Sequence, residues 1–395
     1  MAVYRIKKIN NIAQEGLNLF GDKFIVTEDE QDPHGIVLRS SPIDVDDYPS
    51  LLSVARAGAG TNNINVERAT DKGICVFNTP GANANAVVDL VFPMLGVWKR
   101  NIFNGINFCK SLTAVEADKI DSVVEAQKSA YKGEEIAGKN LAVVGLGQIG
   151  VRLANGGVQR HMNVTGFDPA PALHNIHQLL PAVRVCRALK DAVSDADVVS
   201  LHLPLNDKTR GLVNAEFIAK MKKGAILINY SRGPIVDEDA VIEALDSGHL
   251  SAFLSDFPTA RTIAHEKILT TPHLGASTAE SEENCSIMAV KELSDYLKYG
   301  NITHSVNFPN IESTPADTVK NRFIVINKDV PGMIAKVTNI FSDYDVNIVS
   351  FLNRSNGNVG YNIIDVEEDI PAELIEKVME IQDVVRTRVI SLKED

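Results

Sequence analysis

The stretch of the chain with the clearest chemical capability is a glycine-rich turn, Gly145-Leu-Gly147-Gln-Ile-Gly150. An apolar run precedes this turn and a helical pattern follows it, which is the order found in dinucleotide-binding units. In such a unit Gly145 permits the tight turn, Gly147 lets the backbone approach a pyrophosphate, and Gly150 lets the helix pack closely on the strand. The free N–H groups at the start of the helix then favour the anion.

An acidic residue stands where this unit needs one. Asp168 ends the next apolar run, Val164 to Phe167, and lies 18 residues beyond Gly150. A carboxylate at this place accepts hydrogen bonds from the ribose hydroxyls of the cofactor and repels a 2′-phosphate. We therefore expect NAD rather than NADP, the alternative being a structural βαβ turn without a ligand.

Two further residues suggest what the cofactor is used for. Arg232 follows the apolar run Ala225 to Asn229, and His273 follows the run Ile268 to Pro272. Oxidation of a hydroxy acid needs a cation that holds the carboxylate and a base that takes the hydroxyl proton while the hydride leaves. Arginine and histidine suit these two tasks. The other singled-out histidine, His202, precedes Pro204 and is predicted to be a structural or adenosine neighbour rather than a catalyst.

Two arginines near the start of the chain form a second candidate site. Arg39, followed by Ser40, and Arg56, followed by Gly58, each stand at the end of an apolar run. Ligands of open α/β sheets bind at the carboxyl ends of strands, and the planar guanidinium fits carboxylate or phosphate. The alternative is a pair of solvated surface arginines.

Composition excludes several classes of protein. The chain has 395 residues, of which 45% are hydrophobic and 23% charged, and a formal net charge of −12, which argues against nucleic acid or an anionic membrane as a partner. No apolar run is long enough to span a membrane, and the N-terminus does not resemble a signal peptide. The four cysteines are far apart, and no cysteine or histidine set has metal-ligand spacing. We expect a cytoplasmic protein that binds no metal.

The order of the elements predicts the fold. Strand and helix patterns alternate over most of the chain, which indicates α/β domains with doubly wound parallel sheets. We predict an outer, substrate-binding domain over residues 1–90 and 286–305 and a cofactor domain over residues 91–285. A linker over residues 306–320, without periodicity, leads to a βαββαβ unit over residues 321–395, which is a ferredoxin-like order.

Several stretches resemble the D-isomer-specific 2-hydroxyacid dehydrogenase family, and within it the 3-phosphoglycerate dehydrogenases. The most specific are Gly145 to Gly150, the run Met221 to Glu238, and Thr271-Pro-His-Leu-Gly-Ala-Ser-Thr278. The terminal unit looks like an ACT domain, a small-molecule sensor. The resemblance implies two Rossmann-like domains followed by this ACT domain, and NAD as the cofactor.

The resemblance also assigns roles to residues. It implies that Arg232 binds and polarises the keto acid, that His273 is the proton donor or acceptor, and that the Arg39 and Arg56 regions hold the phosphate or carboxylate of the substrate. The residues that it implies around the NAD are Gly145, Gly147, Gln148, Ile149, Gly150, Asp168, His202, Tyr230, Ser231, Asp256, Gly275 and Ala276.

One departure from the family pattern concerns the histidine. The family has a glutamate in an Asp-Val-Phe-x-x-Glu-Pro pattern, whereas this chain reads Asp256-Phe-Pro-Thr-Ala-Arg261. A carboxylate on the far ring nitrogen would fix the tautomer and favour the imidazolium. Glu266, five residues after Arg261, is the nearest downstream acid and a weak candidate for this partner. Otherwise His273 works without one.

The ACT-like unit suggests regulation. In the family, serine binds between paired ACT domains, and Asn347 matches one of the positions used. The loop before Pro331-Gly332 lacks the usual histidine and asparagine, and Asp329 in that loop is a weak candidate for an amino-acid ammonium. We expect a homodimer or homotetramer with L-serine or another amino acid as effector, the alternative being an ACT unit that serves assembly only.

The function that these features favour is NAD-dependent oxidation of D-3-phosphoglycerate to 3-phosphohydroxypyruvate, the entry to serine synthesis. A D-2-hydroxyacid dehydrogenase for another small substrate is the second hypothesis. An NAD-sensing, corepressor-like scaffold without enzymatic activity is the third.

Overall fold

A computed structural model describes residues 3–393 and divides the chain into two compact units, Met1–Asn83 with Glu282–Asp395, and Ala84–Ser281. The first unit therefore contains both the region expected to be the outer domain and the ACT-like region. The second unit contains the glycine-rich turn. Each unit is described separately below.

The first unit begins with a parallel sheet in the order β2-β1-β3-β4-β5. Its elements are β1 (Tyr4–Lys8), α1 (Gln14–Leu17), β2 (Phe24–Thr27), β3 (Gly35–Leu38), β4 (Ser53–Arg56), α2 (Val66–Asp71) and β5 (Cys75–Asn78). Alternating charges in Tyr-Arg-Ile-Lys-Lys hide β1 from a search for apolar runs, because only Ile6 of its side chains is fully buried. The carboxyl ends of β3 and β4 carry Arg39 and Arg56, as expected.

The second unit is built on a parallel sheet in the order β12-β11-β10-β9-β6-β7-β8. Its elements are α3 (Ala84–Lys99), α4 (Ile102–Ser111), α5 (Ile120–Gln127), β6 (Asn140–Val144), α6 (Gln148–Gln159), β7 (Asn163–Phe167), α7 (Leu173–Ile176), β8 (Arg184–Val185), α8 (Leu189–Val193), β9 (Val198–Leu201), α9 (Ala215–Ala219), β10 (Ala225–Asn229), α10 (Glu238–Asp246), β11 (Leu250–Ser255), α11 (Ala260–Ala264) and β12 (Ile268–Thr270). The order of the strands reverses beside β6, which is the place where doubly wound sheets bind their ligands.

One helix of this unit is shorter than the sequence suggests. The pattern predicts a helix from Thr209 to Met221, but only α9 is helical there. The Asn206 side chain accepts hydrogen bonds from the Lys208 and Thr209 amides, which fixes a turn. The helix starts later because Asn214 caps it through the Phe217 amide.

The remaining elements return the chain to the first unit. They are α12 (Ala279–Tyr299), β13 (Asn321–Lys328), α13 (Met333–Asp343), β14 (Ile348–Ser355), β15 (Val359–Val366), α14 (Ala372–Met379) and β16 (Val384–Ser391). The last four strands form an antiparallel sheet in the order β14-β15-β13-β16, which is the ferredoxin-like arrangement. The expected fold class, two doubly wound parallel sheets and a terminal ferredoxin-like unit, is thus confirmed.

Both faces of the terminal sheet are covered. Phe323 and Val325 of β13 pack on one side with Phe341 of α13. On the other side Ile324 and Tyr361 belong to the same core as the C-terminal half of α12 and the parallel sheet of the first unit. The sequence does not predict this second contact. The apolar run of β13 indicates only that both faces of the strand are buried, and it does not indicate what covers each face.

The last carbonyls of α12 accept hydrogen bonds from side chains of this sheet. The Arg388 guanidinium donates to the carbonyls of Tyr296 and Leu297, at 2.7 and 3.1 Å. Arg322 donates to the Tyr299 carbonyl at 2.8 Å, and the Tyr361 hydroxyl donates to the Gly300 carbonyl at 2.7 Å. These donors satisfy the carbonyls that a helix C-terminus leaves unpaired.

The connection over residues 306–320 has no helix or strand, yet it is anchored rather than loose. Phe308 and Ile311 are buried. The Asn307 side chain accepts from the Val76 amide and donates to the Ile74 carbonyl, at 2.9 Å each. Between residues 3 and 393 no helix is both long and apolar enough to cross a membrane.

Candidate active site

The glycine-rich turn joins β6 to α6, and each of its glycines has a distinct environment. Gly145 has φ +97°, and a Cβ there would lie 2.2 Å from the His202 carbonyl oxygen. A Cβ on Gly150 would lie 1.9 Å from the Gly145 carbonyl oxygen. No atom lies within 4 Å of the place that a Cβ on Gly147 would occupy. The first and third glycines are therefore required by packing, whereas the second keeps a space open for a ligand.

The start of α6 fits an anion in that space. Gly147 is the N-cap residue and supplies no side chain to cap the helix, so the amides of Gln148 and Ile149 are not satisfied by a capping side chain. A helix N-terminus with free amides and a positive dipole end binds a pyrophosphate well. The residues present thus fit the diphosphate of NAD.

Asp168 follows β7 and already accepts two backbone hydrogen bonds. One carboxylate oxygen accepts from the Leu146 amide of the glycine turn at 2.8 Å, and the other accepts from the Ala170 amide at 2.9 Å. A carboxylate has about four lone-pair sites, so it retains capacity for ribose hydroxyls. Asp168 therefore both shapes the glycine turn and stands ready for the cofactor.

His202 follows β9 at the same edge of the sheet. Its Nε2 lies 2.9 Å from the Ser200 hydroxyl, and its Nδ1 has no partner among the described residues. Burial lowers the pKa of His202 to about 4, so the ring is neutral at physiological pH. This neutral state fits the expected structural or adenosine-neighbour role better than proton transfer.

Arg232 follows β10 and is held by its local backbone. Its Nη1 donates to the Ser231 carbonyl at 2.6 Å, and the Asn229 side chain donates to the Arg232 carbonyl at 3.0 Å. The Ser231 hydroxyl donates to the Leu201 carbonyl, while the neighbouring Tyr230 is buried with its hydroxyl unpartnered in the described structure. Burial lowers the pKa of Arg232, because the cation is partly removed from water. An anion bound to the Arg232 guanidinium would compensate for the hydrogen bonds to water that burial removes.

His273 follows β12 and sits in a loop organised by Asp256. The Asp256 carboxylate, 1% exposed, accepts from the amides of Leu274 and Gly275 at 2.7 Å each and from the Thr271 hydroxyl at 2.5 Å. His273 itself has φ +56° and its amide donates to the Asp256 carbonyl at 3.1 Å. The hydrogen bonds of Asp256 thus hold the conformation of the loop that contains His273.

Phe257 contacts His273 and lies close to the residue that follows Arg232. Its ring packs edge-on against the His273 ring, with 5.1 Å between centroids. Its Cβ would be 3.3 Å from a Cβ on Gly233, which directly follows Arg232. Sequence reasoning missed Phe257, because an aromatic residue after a strand cannot be told apart from an ordinary core residue.

The arginine site of the first unit is organised by two asparagines. The Asn10 Oδ1 accepts from the amides of Arg39, Ser40 and Ser41, at 3.3, 3.1 and 3.0 Å. The Asn63 side chain donates to the carbonyls of Arg39 and Ser41. Sequence reasoning missed both, although Asn10 also follows a strand, β1.

The two guanidinium groups of this site have different surroundings. An Arg39 Nη1 forms an ion pair with Glu282 at 2.6 Å. Arg56 donates through Nε to the Arg39 carbonyl at 2.9 Å, and its Nη1 lies 2.4 Å from the place of a Cβ on Gly58. Gly58, with φ +156°, therefore leaves the room that the Arg56 guanidinium occupies.

Comparisons with known proteins agree with these observations. The model of the D-isomer specific 2-hydroxyacid dehydrogenase NAD binding domain matches residues 106–275, and the ACT domain model matches residues 322–383. The D-3-phosphoglycerate dehydrogenase of Haemophilus influenzae is 32% identical over 377 residues, covering 91% of this chain and 87% of that protein. The chain belongs to the D-3-phosphoglycerate dehydrogenase family.

Two other members of this family support the assignment. The D-3-phosphoglycerate dehydrogenase of Escherichia coli is 30% identical over 389 residues, covering 92% of this chain and 88% of that protein. The NAD-bound structure of 3-phosphoglycerate dehydrogenase from Entamoeba histolytica aligns with a TM-score of 0.61 at 25% identity, over 78% of this chain and 99% of that one. The expectations of an NAD-dependent dehydrogenase with an ACT domain are confirmed.

Glu266, the weak candidate for the absent glutamate, precedes β12, whereas His273 follows it. Glu266 is exposed, and no hydrogen bond between its carboxylate and the His273 ring supports this candidate in the described structure. Among residues 3–393 no side chain forms a hydrogen bond with the His273 ring.

The two candidate effector residues of the ACT domain are far apart within one chain. Asp329 follows β13 and accepts a hydrogen bond from Ser355, the last residue of β14, at 2.5 Å. Asn347 precedes the first residue of β14, about 25 Å away at the rise of a strand. Asp329 and Asn347 of a single chain therefore cannot hold one amino acid together.

Proposed function

We propose that this protein oxidises D-3-phosphoglycerate to 3-phosphohydroxypyruvate with NAD, the first step of L-serine synthesis. The main support for this proposal is that Arg232 and His273 follow parallel strands of one sheet, at the carboxyl edge where the glycine turn also lies. Membership of the D-3-phosphoglycerate dehydrogenase family supports the choice of substrate.

Each residue has a defined task in this proposal. Arg232 binds the substrate carboxylate, and its partly buried guanidinium strengthens that charge-assisted bond. His273 accepts the proton of the C2 hydroxyl through a ring nitrogen that no described residue occupies. NAD, held by the glycine turn and Asp168, would supply the acceptor for the hydride of C2. The C2–H and O–H bonds break, the C=O bond forms, and the proton stays on His273 until it passes to solvent.

His273 is held in position although no carboxylate bonds to its ring in the described structure. The Asp256 carboxylate accepts hydrogen bonds from the Thr271 hydroxyl before the histidine and from the Leu274 amide after it, and Phe257 contacts its ring. These contacts supply orientation, which is one of the two contributions of an acidic partner; the other, stabilisation of the imidazolium, is missing. We propose that this enzyme works with a histidine positioned by its loop.

Arg39 and Arg56 are proposed to hold the phosphoryl group. Both stand at the carboxyl ends of adjacent strands, β3 and β4, and Arg56 keeps its guanidinium over Gly58. Dehydrogenation of an unphosphorylated D-2-hydroxy acid is the second candidate, and the Arg39–Glu282 ion pair favours it, because a neutralised arginine attracts an anion less.

Formation of NADH is the test of this proposal. The full-length protein is incubated with NAD and D-3-phosphoglycerate, D-glycerate or D-lactate, and the absorbance of NADH is followed. We expect the highest kcat/KM with D-3-phosphoglycerate. A preference for an unphosphorylated acid would favour the second candidate, and NAD binding without turnover of any acid would favour the scaffold.

The ACT domain is proposed to bind an amino acid, L-serine being the first choice, at the boundary between two copies of the chain. The separation of Asp329 and Asn347 in one chain means that such a site has to draw on two chains. Among the described strands, the edge strand β14 pairs with β15 alone, and its other edge offers a surface for pairing two ACT domains. We therefore propose a homodimer or homotetramer, and a cytoplasmic location remains part of the proposal.

A further inference from the structure

We propose that Asn10 is a positioning residue for the substrate, because it holds the loop of residues 39–41 that presents Arg39 to the phosphoryl group. The inference rests on the proposed function, since it takes Arg39 to be a phosphate-binding residue. Asn10 itself does not touch the substrate. It acts through the loop, whose shape it fixes before the substrate arrives.

The register of the parallel sheet brings Asn10 to this loop. Lys8, the last residue of β1, is paired with Val37 of β3, and the Ile9 amide donates to the Val37 carbonyl at 2.9 Å. Paired parallel strands advance by nearly the same distance per residue. Two residues further along, Asn10 therefore stands beside Arg39, at the carboxyl edge of the sheet.

The side-chain amide of Asn10 binds the loop with both of its ends. Its Oδ1 accepts from the amides of Arg39, Ser40 and Ser41, at 3.3, 3.1 and 3.0 Å. Its Nδ2 donates to the Ser41 hydroxyl at 2.6 Å. Three N–H groups that face one atom require that atom to be the oxygen, so the orientation of the side-chain amide is fixed. Asn10 Oδ1 is therefore the acceptor on which three consecutive amides of the loop converge.

The carbonyls of the loop are held from other directions. Asn63 Nδ2 donates to the carbonyls of Arg39 and Ser41, at 3.3 and 2.7 Å. Arg56 Nε donates to the Arg39 carbonyl at 2.9 Å, so the loop positions the Arg56 guanidinium as well as that of Arg39. Without the side chain of Asn10 the carbonyls keep these donors, but the three amides lose their shared acceptor. The loop would then be held through its carbonyls alone.

A loop that is fixed in advance raises affinity, because the substrate does not have to order it on binding. Ordering the backbone of a single residue lowers affinity about five- to thirty-fold. The proposed chemical step depends on Arg232 and His273, which belong to the second unit, whereas Asn10 and its loop belong to the first. Loss of the positioning should therefore raise the KM for the substrate and leave kcat unchanged.

Asn10→Gly tests the inference, because it removes the side chain without straining the backbone. Asn10 has φ +72°, a conformation that glycine adopts readily. We expect the KM for D-3-phosphoglycerate to rise about five- to thirty-fold, while kcat and the KM for NAD stay at their wild-type values. The matched control is Asn101→Gly, since Asn101 of the second unit also has a positive φ, +51°, and its replacement adds the same flexibility. An unchanged KM for D-3-phosphoglycerate in Asn10→Gly would overturn the inference.

A double-mutant cycle separates positioning from a general loss of structure. Arg39→Ala removes one of the two guanidinium groups that the loop positions. Asn10→Gly should therefore raise the KM by a smaller factor in the Arg39→Ala background than in the wild type. An equal factor in both backgrounds would show that Asn10 acts without Arg39, which contradicts the inference.

A second substitution at the same position tests the shared oxygen. Asn10→Asp keeps an oxygen for the three amides, and aspartate tolerates the same positive φ. Its added charge is screened at high ionic strength. Under that condition the KM of Asn10→Asp should return towards the wild-type value. A KM as high as that of Asn10→Gly would exclude the shared oxygen as the contact that positions the loop.

The outcome can be kept apart from the fate of the proposed function. If the wild type oxidises another D-2-hydroxy acid in place of D-3-phosphoglycerate, the function is wrong, and the same comparison of KM values with that acid decides on Asn10. If it oxidises none, titration calorimetry with inorganic phosphate decides: weaker binding by Asn10→Gly than by the wild type supports the inference, and equal binding or none overturns it. If the KM for D-3-phosphoglycerate rises in Arg39→Ala but not in Asn10→Gly, the function stands and the inference falls.

Discussion

Asp256 and His273 are joined through the backbone rather than through their side chains. The His273 amide donates to the Asp256 carbonyl, and the Asp256 carboxylate accepts from the two residues that follow the histidine. Since His273 adopts φ +56°, a conformation that non-glycine residues rarely take, these bonds hold it where it would not otherwise stay. Asp256 therefore positions His273 through hydrogen bonds to the backbone of its loop.

Asp256→Asn tests this arrangement. An amide can accept through only one of its two positions, so one of the amides of Leu274 and Gly275 would lose its acceptor and the loop would loosen. We expect kcat to fall about ten- to a hundred-fold, which corresponds to the loss of one hydrogen bond to a charged group. Tight binding of NAD, measured by titration, should persist. A variant with normal kcat would show that the loop holds its shape without this carboxylate.

His273→Ala and Arg232→Lys test the proposed catalytic pair. Loss of a positioned base should reduce kcat about 10²–10⁴-fold. Lysine in place of Arg232 should raise the KM and reduce kcat, because it cannot form the bidentate bond to a carboxylate. Glu266→Gln is the matched control and should turn over substrate as the wild type does, since no hydrogen bond joins Glu266 to the His273 ring in the described structure. Steady-state rates of NADH formation decide, and near-normal turnover in His273→Ala would disprove the mechanism.

Asp168→Ala tests the choice of cofactor. Removal of the carboxylate should raise the KM for NAD about ten-fold and reduce the preference for NAD over NADP, because the ribose loses an acceptor and a 2′-phosphate loses a repulsive charge. Part of the effect will come from the Leu146 amide, which loses its acceptor. Asp207→Ala, at an exposed position of the same unit, is the control. An unchanged ratio of the two cofactor KM values would remove Asp168 from the site.

The buried Arg322–Asp365 pair is expected to stabilise the junction of the ACT domain with α12. Its two hydrogen bonds measure 2.7 and 2.9 Å, and both side chains are essentially inaccessible. Asp365→Asn leaves a buried cation without its counter-charge and should reduce the free energy of unfolding by about 3–5 kcal/mol. Asp369→Asn breaks the exposed pair with Lys320 and should cost at most about 1 kcal/mol. Urea denaturation of both variants measures the difference.

Inhibition by L-serine is the expected regulatory behaviour. Deletion of residues 321–395 would be a poor test, since it would expose the apolar side chains of the first unit that pack on the terminal sheet. Asn347→Ala changes an exposed residue and should weaken inhibition at least ten-fold while kcat without serine stays normal. Asn339→Ala, on α13 of the same domain, is the control. Equal inhibition constants in the Asn347→Ala and wild-type enzymes would exclude Asn347 as an effector ligand.

The features of this protein that depend on local order along the chain could be predicted before the fold was known. The glycine turn, the acid after β7 and the arginine and histidine after β10 and β12 were all predictable, because a parallel sheet brings the carboxyl ends of its strands to one edge whatever the loops do. The ferredoxin-like unit was predictable from its βαββαβ order, and its likeness to an ACT domain was implied by the resemblance to the family. The absence of the family's glutamate after Asp256 was also visible in the sequence.

Contacts between side chains that are distant in the chain became visible in the three-dimensional fold. Asn10 and Arg39 are 29 residues apart, and Arg39 and Glu282 are 243 apart, so no spacing rule links them. Glu266 is seven residues from His273, yet no hydrogen bond joins the two side chains in the described structure. The burial of Ile324 and Tyr361 against α12 likewise depends on which surface the second face of β13 meets. Periodicity shows that a face is apolar, but the partner of that face is set by packing between segments distant in the chain.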